Sequence, residues 1–143
     1  MGKLDKNAVE AYKNELKNLW YYKDIINDLQ SKIELIEYEM SGMKGIDYSK
    51  ESGSHNPSAT EHRRLSLIEK YNRLIERKKE YIQKEHSICR VLNAMPEEER
   101  NLVIEVIADR RKYQDVCDER KINKSTLHGM INDIIGRALK KAG

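Results

Sequence analysis

The 143-residue chain has no phenylalanine, one tryptophan, two prolines and two cysteines. Without phenylalanine and with eight tyrosines, its aromatic surface suits half-exposed helical faces where a hydroxyl stays wet. Two prolines leave long stretches in which nothing forbids a helix. Cys89 and Cys117 stand far apart and fit no CxxC spacing, so neither a disulfide framework nor a zinc ribbon is expected. No apolar run is long enough to cross a membrane and the N-terminus carries no signal-peptide core. These absences lead us to expect a cytoplasmic protein with no membrane partner.

Signs of catalysis are missing too. His55, His62, His86 and His128 form no HExxH pair and none stands at zinc-finger spacing from a cysteine. There is no Gly-rich phosphate loop and no Ser-His-Asp order. No metal, no cofactor and no enzyme activity are expected.

What the chain has is charge, 36% of its residues, alongside 38% hydrophobic residues. A charge load of this size with periodic apolar positions points to an all-α fold of long helices that each bury one stripe. The net charge of +3 is unevenly spread. Residues 94–109 carry one basic and five acidic side chains, and residues 110–143 carry nine basic against four acidic. A basic C-terminal end can neutralise phosphates.

Along the chain, Leu19, Tyr22, Ile26, Leu29, Ile33, Ile36, Met40 and Met43 alternate steps of three and four. This a/d spacing predicts one helix from about Asn7 to Met40, with Ser41 and Gly42 as stop signals and Met43 beyond its end. A loop is expected over 41–57. Ser58, three residues before Glu61, has capping-box spacing and predicts the start of a second long helix with a broad apolar stripe. Together these elements make a helical hairpin or coiled coil over 1–93, paired within one chain or across a homodimer. Pro96 and the acidic run Glu97-Glu98-Glu99 open a third helix.

Residues 94–143 are expected to form a separate three-helix DNA-binding domain. Two shorter helices, near Tyr113–Arg120 and Lys124–Lys141, flank the turn Lys121-Ile122-Asn123, with Asn123 as N-cap of the second. Val116, the small Cys117, Ile122, Leu127 and Met130 suit the buried crossing of a helix-turn-helix, continued by Ile131, Ile134 and Ala138. Ser125, His128, Gly129, Asn132 and Gly136 then lie on the opposite face. In such a motif the N-terminal residues of the second helix reach base edges in the major groove. Lys124, Ser125, Thr126, His128, Gly129 and Asn132 are therefore the expected readers, although Thr126 could also lean inward. Arg110, Arg111, Lys112, Arg137, Lys140 and Lys141 are the expected phosphate contacts on double-stranded DNA, with Lys121 in the turn a further DNA-binding residue.

Met95-Pro96 with Arg100, and the run INKSTLH, resemble region 4 of bacterial sigma factors. With SATE at the loop exit, VCDERKI, the Thr126-Leu127-His128 step and IIGRAL, the chain resembles phage late-gene transcription regulators of the RinA and ArpU type. The resemblance implies promoter binding by the C-terminal motif, with the helical part serving self-association or contact with RNA polymerase. Arg120 departs from the leucine of the sigma pattern, and Lys121 from its turn glycine. Two other readings share these features: a DNA-packaging accessory such as a small terminase subunit, and a coiled-coil interaction protein that does not bind DNA.

Overall fold

The computed structural model describes residues 5–44 and 57–143. Among them all regular structure is helical, as the charge and periodicity require. The chain divides into two compact bodies: 5–23 with 83–143, and 24–44 with 57–82. The expected domain border at 93/94 therefore lies elsewhere, because the first helix packs with the C-terminal helices.

In the larger body, α1 runs Lys6–Leu16. It starts where the Asp5 carboxylate accepts from the amides of Asn7 (3.0 Å) and Ala8 (3.1 Å), filling two of the open donors of the first turn. Val9, Tyr12, Lys13 and Leu16 form its buried stripe. The single helix expected over 7–40 is interrupted at Lys17 and Asn18. There the Asn18 amide closes a tighter bond to Glu15 O (3.0 Å), its side-chain amide donates to Asn14 O (3.2 Å), and its own carbonyl accepts from Tyr22 N (2.8 Å). A short polar side chain that bonds the backbone locally competes with a continuous helix.

Helix α2, Leu19–Lys44, also outruns its expected end at Met40. Ser41, Gly42 and Met43 are helical, and no described glycine takes a positive φ, so Gly42 terminates nothing. Helix α3 runs Pro57–Asn93. Its first position is the proline, whose missing N–H is harmless there. The helix therefore begins before Ser58, the start expected from the capping-box spacing. The middle of the expected loop, 45–56 with His55, is outside the described residues.

In the smaller body α2 and α3 form an antiparallel hairpin. Glu37 accepts from the Tyr71 hydroxyl (3.4 Å), and Gln30, one heptad earlier, accepts from Lys78, one heptad later. Leu29, Ile33, Ile36 and Leu67 are buried in it, so the middle of the α2 heptad stripe is satisfied within one chain.

Back in the larger body, α3 ends at a sharp corner where Ala94 and Met95 donate to Val91 O and Leu92 O. Arg100, the arginine of the sigma-like opening, reaches back and donates to Leu92 O (3.0 Å) and Met95 O (3.1 Å). It supplies donors to carbonyls that a helix end leaves open. Helix α4, Glu97–Val103, has three glutamates in its first turn, where the helix dipole favours them. It widens into a π-helical turn, Ile104–Ala108. Helices α5, Tyr113–Arg120, and α6, Lys124–Ala142, complete the chain.

Candidate nucleic-acid interface

The geometry of the C-terminal motif follows from its turn. Helix α5 buries Val116 and Cys117 and ends at Lys121, whose backbone is left-handed at φ 58° and ψ 46°. The Ile122 amide then reaches back to Cys117 O (3.1 Å), a six-to-one closure that satisfies a terminal carbonyl. The lysine thus keeps the conformation a turn glycine would take; the turn is not rebuilt. Asn123 is extended, and its side-chain oxygen accepts from Thr126 N at 2.7 Å, capping α6 as its position in the sequence requires.

Helix α6 buries Leu127, Ile131, Ile134, Ile135 and Ala138. Lys124, Ser125, Thr126, His128 and Gly129 are all exposed in its first two turns. Thr126 does not lean inward. Two face assignments are corrected. Met130, expected against the core, is 37% exposed, because the buried stripe passes through Leu127 and Ile131 and leaves position 130 at its margin. Gly136, expected on the open face, is buried, and Asn132 is half-buried. Asn132 is where a side chain of α1 meets α6.

That contact introduces a residue missed by the sequence reading. Lys13 is only 6% exposed. Its ammonium donates to Glu10 Oε1 (3.2 Å) and to Asn132 Oδ1 (3.0 Å), and Asn132 Nδ2 lies 3.2 Å from His128 Nε2. The signal was a lysine beside Tyr12 on the stripe Val9, Tyr12, Leu16. Lys6, Val9 and Glu10 of α1 line a half-open pocket of about 890 Å³ with His128, Gly129, Asn132 and Asp133. A methyl group added at Gly129 would meet nothing within 4 Å, so the room there is real.

The basic residues divide into two groups. Arg110, also left-handed at φ 56°, donates to Lys17 O at the end of α1 (3.0 Å). Arg111 is clamped between Glu105 (2.6 Å) and Glu119. These two guanidinium groups are tied into the fold. Lys112, Lys121, Lys124 and Lys140 are exposed, and Arg137 keeps 64% of its side chain exposed despite a 3.5 Å approach to Glu99.

Burial raises the Tyr12 phenol far above its ordinary value, with the nearby Cys89 adding to the effect, and its hydroxyl donates to Ile88 O at 2.8 Å. Burial raises Tyr113 too, helped by Glu10 and Cys117. The Cys89 thiol is likewise pushed up, first by burial, with Lys23 opposing and Glu85 adding, which is the reverse of what a reactive thiolate needs. Among the described residues no cluster of His, Cys, Asp or Glu could hold a metal, and no helix is long and apolar enough to cross a membrane. No family model, curated protein or solved structure matches this chain.

Proposed function

We propose that the chain is a sequence-specific DNA-binding regulator of transcription, of the phage late-gene type its sequence resembles, acting in the bacterial cytoplasm. The first two turns of α6 enter the major groove. The observation that carries this reading is the set Lys124, Ser125, Thr126, His128 and Gly129, exposed together on a helix start that the Lys121 turn and the Asn123 cap hold in place. Burial of Gly136 further along the helix fits the same reading, since in this motif the N-terminal residues meet base edges. Lys112, Lys121, Arg137 and Lys140 then serve as phosphate contacts, while Arg110 and Arg111 support them by holding the fold.

Self-association belongs to the proposal. The middle of the α2 stripe is buried within the chain; off that stripe α2 exposes Leu35 and Tyr38, but an apolar seam at heptad spacing lies on α3. There Leu65 (55%), Ile68 (38%) and Ile82 (39%) are exposed, and Ile75 falls at the same seven-residue spacing. A homodimer formed there would present two reading heads, and RNA polymerase is the second expected partner. Sedimentation of wild type and an Ile68→Lys/Ile75→Lys variant tests the seam. Dimers lost in the variant support it, and wild-type monomers at high concentration refute it.

The test of the function itself is selection of duplex DNA from a random library by the full chain, followed by gel-shift titration at several salt concentrations. A common motif and a falling affinity with salt are expected. Absence of any binding would sink the DNA reading and leave the interaction-protein reading, which the exposed α3 seam favours.

A further inference from the structure

The polar chain from α1 to the open end of α6 fixes the position of a proton. Lys13 can only donate hydrogen bonds. The Asn132 atom 3.0 Å from its ammonium is therefore the amide oxygen, and the amide nitrogen is the atom turned toward His128. That nitrogen can also only donate, so His128 Nε2, 3.2 Å away, must offer its lone pair. The neutral ring then carries its proton on Nδ1. Burial of Lys13 and its second bond to Glu10 (3.2 Å) hold the start of this relay in place, so the orientation is set from inside the fold rather than by solvent.

We infer that Lys13 is a positioning residue which, through Asn132, sets His128 as a one-sided N–H donor for a hydrogen-bond acceptor on a base edge. This rests on the DNA reading of α6 and names what the site selects. In the major groove guanine offers acceptors at N7 and O6, adenine at N7 and thymine at O4, whereas cytosine offers only an amino donor. A His128 held as a donor therefore rejects cytosine at the position it meets and accepts the three bases that present an acceptor there, guanine with two. Among the described residues Nδ1 has no hydrogen-bond partner, so the donor is available. Lys13, on a different helix from the motif, becomes a determinant of specificity without touching DNA.

The proton's position is measurable without DNA. Long-range ¹⁵N–¹H correlation of the full chain, followed to a pH at which the ring signals no longer change, reads the neutral tautomer directly. The wild type is expected to show His128 protonated at Nδ1. In Asn132→Asp the carboxylate accepts from both Lys13 and His128, so the tautomer should invert to Nε2–H while the contact to Lys13 survives. A wild-type ring protonated at Nε2, or a tautomer unchanged in Asn132→Asp, overturns the relay.

Base preference is read separately, by site selection with wild type, Asn132→Asp and Lys13→Met. Exclusion of cytosine at one position, relaxed about fivefold in both variants, is the expected result, that being the scale of one hydrogen bond. A site selected equally well by all three proteins overturns the specificity role. Failure to select any site refutes the DNA reading itself, whatever the tautomer proves to be.

Discussion

Lys121 holds a left-handed backbone between α5 and α6, at a position where glycine would do so without strain. The conformation survives because the Ile122 bond to Cys117 O and the Asn123 cap on Thr126 close the turn on both sides. Replacing Lys121 by glycine should raise the unfolding free energy by about 0.5–1 kcal/mol, the strain relieved less the entropy a glycine adds to the unfolded chain. Urea denaturation checks it. Removal of an exposed cation should at the same time weaken binding to all DNA sequences about equally. Gly129 gives the complementary case. Alanine there enters open space in a helix interior, so stability should rise by about 1 kcal/mol. If α6 lies in a groove at that point, affinity should fall although the protein is more stable, and gel shifts with the same variant separate the two effects. Tyr12 sets the alkaline limit of the fold. Its pKa is raised in the folded state by burial, so its contribution is complete below the ordinary phenol value and is lost as pH rises above about 10. Tyr12→Phe should flatten the decline of stability above that pH, at a cost of about 1 kcal/mol near neutrality for the bond to Ile88 O.

Among the elements, α1 was the least legible in the sequence and has the largest effect on the site. Val9, Tyr12, Leu16 and Leu19 lead into the stripe of α2, and only two consecutive steps of three, Leu16 to Leu19 to Tyr22, mark the break at Lys17 and Asn18 in the apolar pattern. Hydrogen bonding by Asn18 distinguishes two helices from one. Sequence periodicity reports which side of a helix is buried. It does not report what buries it, and so Asn132 was assigned to open surface although Lys13 of α1 reaches it. The start of α6 was legible because its causes are local: an asparagine cap, a polar first turn and a stripe at Leu127, Ile131, Ile134 and Ala138. Arg100 shows a motif residue with a structural task. It holds the carbonyls of Leu92 and Met95, and Arg100→Ala should destabilise the protein by about 1–3 kcal/mol, because part-buried acceptors lose their donors. Thermal unfolding tests this, and a change near zero would mean that water replaces the guanidinium.

At the scale of the whole molecule, the division of labour is between a hairpin stripe buried within its own body and a C-terminal body with an exposed, basic helix start. All-α architecture followed from composition and spacing. The border at 93/94 did not, since residues far apart in the chain, such as Lys13 and Asn132, make the contacts that define the larger body. The central claim is that the first two turns of α6 read DNA. The most direct measurement is gel-shift affinity of the full chain for its selected duplex, compared with a Lys124→Ala/His128→Ala variant whose urea midpoint is recorded alongside. Both side chains are exposed, so the unfolding free energy should stay within about 0.5 kcal/mol of wild type. Affinity for the selected site should fall at least about tenfold, as expected for the loss of a base contact. Equal affinity of the two proteins for that site would contradict the account.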